Sequence, residues 1–409
     1  MPKVYVRRDI IRAFGGVGLL GLAGCLGDDG TVDAGVPATG DPTATPQPTA
    51  TATPDATPTP DATETPDETT ERPTVTSWSQ VYGTAGNTGS TTDVGASTGT
   101  VRWTVALGES ATTPPVTFGE RLFVTTRTGL HALGRTDGAR LWSRSFGGTV
   151  RAPACGDGTV LVAAERLYAL SPETGETEWS STVGGGPVTD LTVGEGVVYF
   201  GAADAKVYGL SVADGSQVAR SALFPFGDVR MAAADGEYVF VAAASNVVGL
   251  NTRGAQVWKY EAGATVTAPP TVAGDTVYVG VTNGDVVGID RATGAVQWTT
   301  DLGGSVSTPV TVGADELFVV SGNSLTKLES GTGRIEWTER VGGAPLTAVA
   351  HAADSLYVGS ASSRVYALDP TNGAVRWSKK TGQPVVGGPA VVGDAVYTAT
   401  TGGTVTAFA

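Results

Sequence analysis

A glycine followed four residues later by a tryptophan recurs along most of the chain: Gly138/Trp142, Gly175/Trp179, Gly254/Trp258, Gly294/Trp298, Gly333/Trp337 and Gly373/Trp377. Gly215 keeps the offset but lands on Ala219. With Trp103 as a further anchor, units begin at 103, 142, 179, 219, 258, 298, 337 and 377, eight units spaced 37 to 40 residues apart. Periods of this length mark repeat arrays in which each unit buries its apolar face against its neighbours. Inside the unit from Trp298 to Glu336, "WTTDLG", "SVSTPVTV", "ELFVVS" and "SLTKLES" are short apolar or alternating runs separated by Gly, Asp or Asn, which reads as four strands. The 58 glycines and the low charged fraction of 16% fit many short strands joined by tight turns. No amphipathic helical pattern follows residue 25, which excludes a TIM barrel or a doubly wound sheet. The predicted fold is all-β: an eight-bladed β-propeller of four-stranded blades over residues 78–409.

Three segments carry a family resemblance. "YALSPETGETEW" (168–179), "YALDPTNGAVRW" (366–377) and "VGIDRATGAVQW" (287–298) resemble the Ala-x-Asp-x-x-x-Gly-x-x-x-Trp docking motif of quinoprotein-type (PQQ-like) β-propellers. That family includes quinoprotein alcohol dehydrogenases and the lipoprotein of the outer-membrane β-barrel assembly machinery. Ser171 replaces the motif Asp, and Gly288 replaces the motif Ala. The entry segment "SWSQVYGTAGNTG" resembles the leader that precedes such propellers. Physically, glycine supplies the turn and tryptophan a large apolar surface, so Trp103, Trp142, Trp179, Trp258, Trp298, Trp337 and Trp377 are predicted to be structural and to pack between blades. Ala219 breaks this ring, and Phe224 or Phe226 is expected to fill the gap in part.

The chain's final "TGGTVTAFA" stops before a fourth strand. The segment "TVRWTVALG" around Trp103 supplies it in this reading and closes the last blade, so deletion of residues 99–107 is expected to destabilise the whole propeller.

Ahead of the repeats, "MPKVYVRRDIIRAFGGVGLLGLAGC" has a basic start, a short apolar run and small residues before a cysteine. Arg7 and Arg8 resemble a twin-arginine (Tat) export signal, and Leu22-Ala23-Gly24-Cys25 resembles a lipobox, which implies a signal peptide over 1–24 and a lipid on Cys25. An uncleaved N-terminal anchor is the alternative. Residues 25–77 read as a disordered acidic Thr/Pro-rich stalk, because residues 26–77 contain no aromatic residue and the repeated prolines favour extended chain. The expected location is the cell surface, at the outer face of the cytoplasmic membrane.

Net charge is −14, with 6 Lys against 20 Arg. This acidity and lysine poverty resemble proteins of halophilic archaea, and they exclude the basic face that nucleic-acid binding needs. If Cys25 carries a lipid, Cys155 is alone and no internal disulfide forms.

Aligning the units on Leu122, Val160, Val198, Val239, Val277, Leu317, Leu356 and Val396 places Thr113, Arg151, Thr189, Arg230, Ala268, Thr308, Thr347 and Gly387 nine residues earlier. These positions are expected to line the central channel. Arg151 and Arg230 stand out as candidates to bind an anionic ligand; the alternative is pairing with Asp190, Asp228 or other local acids. Cys155, His351 and His131 read as packing residues. Ser97 sits in "GASTG", which matches a nucleophile-elbow pattern but lacks the strand before and helix after that such a site requires. The dehydrogenases of the family imply PQQ with calcium, a vicinal cysteine pair and an Asp/Asn/Glu cluster. With neither pair nor cluster evident, the expected role is non-catalytic: a monomeric scaffold for a protein, peptide or surface polymer, with no cofactor and no metal. A PQQ-dependent oxidoreductase is the alternative.

Overall fold

The computed structural model describes residues 77–222 and 229–409, together with the backbone but not the side chains of residues 230–232. The signal, stalk and Cys25 readings, and also Phe224, Phe226 and Asp228, lie outside the described residues. The strands number β1 (Val101–Ala106) through β32 (Thr404–Phe408) in chain order. They form eight separate four-stranded antiparallel sheets, seven of them from consecutive strands, the first being β2-β3-β4-β5 (116–118, 121–125, 129–134 and 140–145). Apart from one short 3-10 turn at Val183–Gly185, the described residues contain no helix. The predicted eight-bladed propeller is therefore the fold.

The eighth sheet has the order β1-β32-β31-β30. Trp103 pairs with Ala407, Val105 with Val405 and Ala106 with Thr404, so the first and last strands of the domain share one blade and close the ring. "GASTG" is followed by the strand β1 and not by a helix, and it forms the turn of this split blade. Gly99 precedes Trp103 by four residues and has φ +65°, a conformation that favours glycine. The N–H groups of Thr98 and Thr100 donate to Ala409 O, and Ala409 N–H returns a bond to Thr100 O. Ala409 thus stands where Asp290 stands in its own blade, bonded likewise to Gly294 and Ala295.

The tryptophans join neighbouring blades by one repeated device. Each indole packs on the turn glycine of the next blade: a Cβ on Gly138 would lie 2.6 Å from Trp103, on Gly175 2.8 Å from Trp142, and on Gly215 2.7 Å from Trp179. Each indole Nε1–H donates to a carbonyl beside that glycine. Trp103 reaches Arg135 O at 3.0 Å, Trp142 reaches Pro172 O at 3.0 Å, and Trp377 reaches Ala96 O at 3.2 Å in the split turn. Motif glycine in place of alanine lets the ring sink further, since Gly249 and Gly288 face Trp258 and Trp298, the most buried indoles of the docking ring.

Ala219 is accommodated by backbone. The turn of the next blade, Asn251–Gly254, is one residue shorter than its counterparts, and Gly254 N–H bonds Asn251 O instead of a residue four back. The shortened turn moves in until a Cβ on Gly254 would lie 2.4 Å from the Arg220 carbonyl carbon. Arg220 N–H donates to Arg253 O at 3.2 Å. A main-chain bond replaces the indole bond at this junction.

Candidate functional site

The leader, residues 78–96, forms one end of the channel. In the first strand of each of seven blades, one N–H points at the leader, and the leader meets these groups in chain order. Thr117 N–H donates to Trp78 O, Cys155 to Ser79 O, Ala234 to Ala85 O, Val272 to Gly86 O, Val312 to Thr88 O and His351 to Gly89 O, all at 2.8–2.9 Å. The third blade is reached by a side chain: Gln80 accepts from Val193 N–H at 2.9 Å and donates to Val193 O at 2.7 Å. The eighth blade closes the circuit when Gly95 N–H donates to Gly393 O. Each inner strand is the edge strand of its own sheet, and the leader satisfies N–H groups on that free edge. Sequence reading connected this segment with its family but missed its role; the clue is its glycine spacing, Gly83, Gly86 and Gly89, which allows close backbone approach.

The leader therefore floors the channel, and a cavity of about 450 Å³ lies above it. Gln80, Val81, Tyr82 and Asn87 come from the floor; Arg151, Thr189, Asp190, Val229, Thr267 and Ser307 are among the wall residues. The wall residues lie at or just before the starts of the inner strands; of the aligned positions, Arg151 and Thr189 are among the lining residues, whereas Thr113, Ala268, Thr308, Thr347 and Gly387 are not. For Arg230 the structure gives the backbone alone, paired with Ala242 in β14 (Val229–Ala234) and adjacent to the lining residue Val229.

Arg151 and Asp190 interact only at a distance. Among the described residues neither makes an ion pair within 4.0 Å, although fifteen such contacts occur elsewhere. The Asp190 carboxyl is open to cavity water but walled in by protein, and that desolvation raises its pKa against the opposing pull of the Arg151 charge and an N–H from Ala152. Burial likewise raises the Tyr82 phenol, helped by the Asp190 charge. Polar wall groups are partly committed, since Thr189 Oγ1 donates to Asp190 O and accepts from Gly201 N–H. Among the described lining residues Arg151 and Asp190 carry the formal charges.

Cys155 is buried in an apolar cluster with Val116, Phe123 and Val160, and burial raises its thiol pKa, a packing role as expected. His351 packs against Phe318 and stands 3.8 Å from Glu316. His131 is buried with neither ring nitrogen hydrogen-bonded. Desolvation lowers the pKa of both histidines. Among the described residues no three His, Cys, Asp or Glu side chains come together to hold a metal ion. Calcium takes six to eight oxygen ligands and commonly several carboxylates, so the described lining, with Asp190 as its carboxylate, does not fit a calcium-held quinone.

Eight four-stranded blades joined by docked tryptophans define an eight-bladed β-propeller. The family model described as outer membrane protein assembly factor BamB matches residues 87–232, 127–265 and 243–408, and the chain belongs to that family. Among solved structures it resembles BamB from Moraxella catarrhalis (18% identity, TM-score 0.63, covering 74% of this chain and 97% of that one). It also resembles the computationally designed Ika8 protein (16%, 0.68, 76% and 99%) and the quinohemoprotein alcohol dehydrogenase of Comamonas testosteroni (14%, 0.67, 81% and 80%). At these identities the likeness shows the fold alone. No curated protein sequence matches the chain significantly.

Proposed function

We propose that the protein is a non-catalytic binding or scaffold module that works outside the cytoplasm on protein or peptide partners. The observation that carries this reading is the polar cavity: the leader floors the channel, and the described lining offers recognition groups without a metal-ligand cluster. Family membership supports a partner-binding role, since the matching model is named for an outer-membrane protein assembly factor.

In this reading Arg7 and Arg8 direct export, Cys25 carries the lipid, and the acidic stalk of residues 25–77 holds a monomeric propeller at the cell surface. The acidic chain suits a halophilic archaeon's salt and takes no nucleic acid. No helix among the described residues is long and apolar enough to cross a membrane.

The test is site-specific photocrosslinking in cells. A probe at Val188, which lines the cavity and is 41% exposed, should capture exported proteins or peptides that a probe at Val296 on the outermost strand β21 (Val296–Asp301) does not. Dye-linked alcohol or sugar oxidation after addition of PQQ and Ca²⁺ to the purified protein would overturn the non-catalytic reading in favour of a quinoprotein oxidoreductase.

A further inference from the structure

We infer that the channel cavity binds a short peptide with free termini, its carboxylate on Arg151 and its ammonium toward Asp190. This deepens the binding role proposed above and rests on it.

Three observations converge. First, the described lining holds one cation and one anion, and these do not neutralise each other by contact. Two half-solvated opposite charges in one cavity favour a ligand that brings both signs. A plain carboxylate would meet Asp190, and a plain amine would meet Arg151; each would leave one charge desolvated and uncompensated. Second, Arg151 and Asp190 lie more than 4.0 Å apart but within reach of each other's field. A dipeptide, whose terminal charges are separated by a peptide unit, can offer one charge to each residue without bringing the two together. Third, the volume of about 450 Å³ falls at the lower end of small-molecule sites, about 300–1,000 Å³. Val81, Val188, Val229 and Pro269 give the walls apolar surface for aliphatic side chains, while Thr267 and Ser307 offer hydroxyls to a peptide bond. The leader lines one side of the cavity through Gln80, Val81, Tyr82 and Asn87.

The experiment is calorimetric titration of the full propeller with leucyl-glycine, N-acetyl-leucyl-glycine and leucyl-glycinamide. Leucyl-glycine should bind, and each singly charged derivative should bind at least ten-fold more weakly. Arg151→Gln should abolish the preference over the amide, and Asp190→Asn the preference over the acetylated peptide. Near-UV circular dichroism of the docked tryptophans checks that both variants keep the fold; Tyr82→Phe, which removes one hydroxyl from the floor, should weaken binding of all three probes alike. Equal or tighter binding of the acetylated peptide would overturn the inference and make the cavity an anion site. Absence of binding by any probe while Val188 crosslinks persist would also overturn it, leaving the general binding role standing. Loss of the crosslinks with dipeptide binding intact would instead remove the protein-partner role.

Discussion

Replacing Trp103 by alanine tests the closure of the ring most directly. The indole is half-buried between the Gly138 turn of the first blade and Tyr397, whose ring centroid lies 6.0 Å away, and it bonds Arg135 O. Deleting a fully enclosed tryptophan side chain costs about 3–5 kcal/mol. Partial exposure puts this one near about 3 kcal/mol, of which the hydrogen bond contributes about 1. With a urea slope of about 3 kcal/mol per M, the unfolding midpoint should fall by about 1 M. Equilibrium unfolding followed by far-UV circular dichroism measures it, with Trp142→Ala as the control. Trp142 makes the same contacts one junction later, with its Nε1 at 3.0 Å from Pro172 O, and should cost a similar amount. If Trp103→Ala leaves the midpoint unchanged while Trp142→Ala lowers it, the terminal strands do not clasp and the reasoning fails.

Other predictions follow from particular contacts. Ala219→Trp should destabilise by about 1–3 kcal/mol, because the shortened Asn251–Gly254 turn already occupies the indole's place; a higher melting temperature would contradict that account. Gln80→Ala removes both bonds to Val193 and should cost about 1–3 kcal/mol by leaving a buried main-chain pair unsatisfied, read by denaturant unfolding and by faster hydrogen exchange at Val193. Acid should weaken the fold through His351 and His131, whose folded pKa values lie below their unfolded value of about 6.5. Their contribution is intact above about pH 6.5 and is lost as pH falls towards the lowered folded values, since the unfolded chain takes up the protons first. Unfolding free energies at pH 7.5 and 5.5 should therefore differ less in His351→Gln than in the wild type.

The repeat period, the Gly-to-Trp offset and the alternating short runs were sufficient to determine eight blades of four strands, because each is a local rule that the chain repeats. The clasp was also legible: Trp103 lacked a preceding third strand and the C-terminus lacked a following fourth. Legibility stopped at features that depend on several blades at once. The turn role of "GASTG" was not legible because its partner residue, Ala409, is more than three hundred positions away in the chain. The filling of the Ala219 gap by main chain could not be read, since it depends on a one-residue shortening in a different repeat. Arg151 was selectable as an odd residue in a column of small ones, whereas its separation from Asp190 was not.

Local sequence thus determined the blade, its turn and its docking tryptophan, for these depend on residues within about 40 positions of one another. Tertiary structure alone decided that the leader runs from blade to blade and lines the cavity with Gln80, Val81, Tyr82 and Asn87. The physical reason is that seven inner-strand N–H groups, each without a partner inside its own blade, converge on the axis only after the ring has closed.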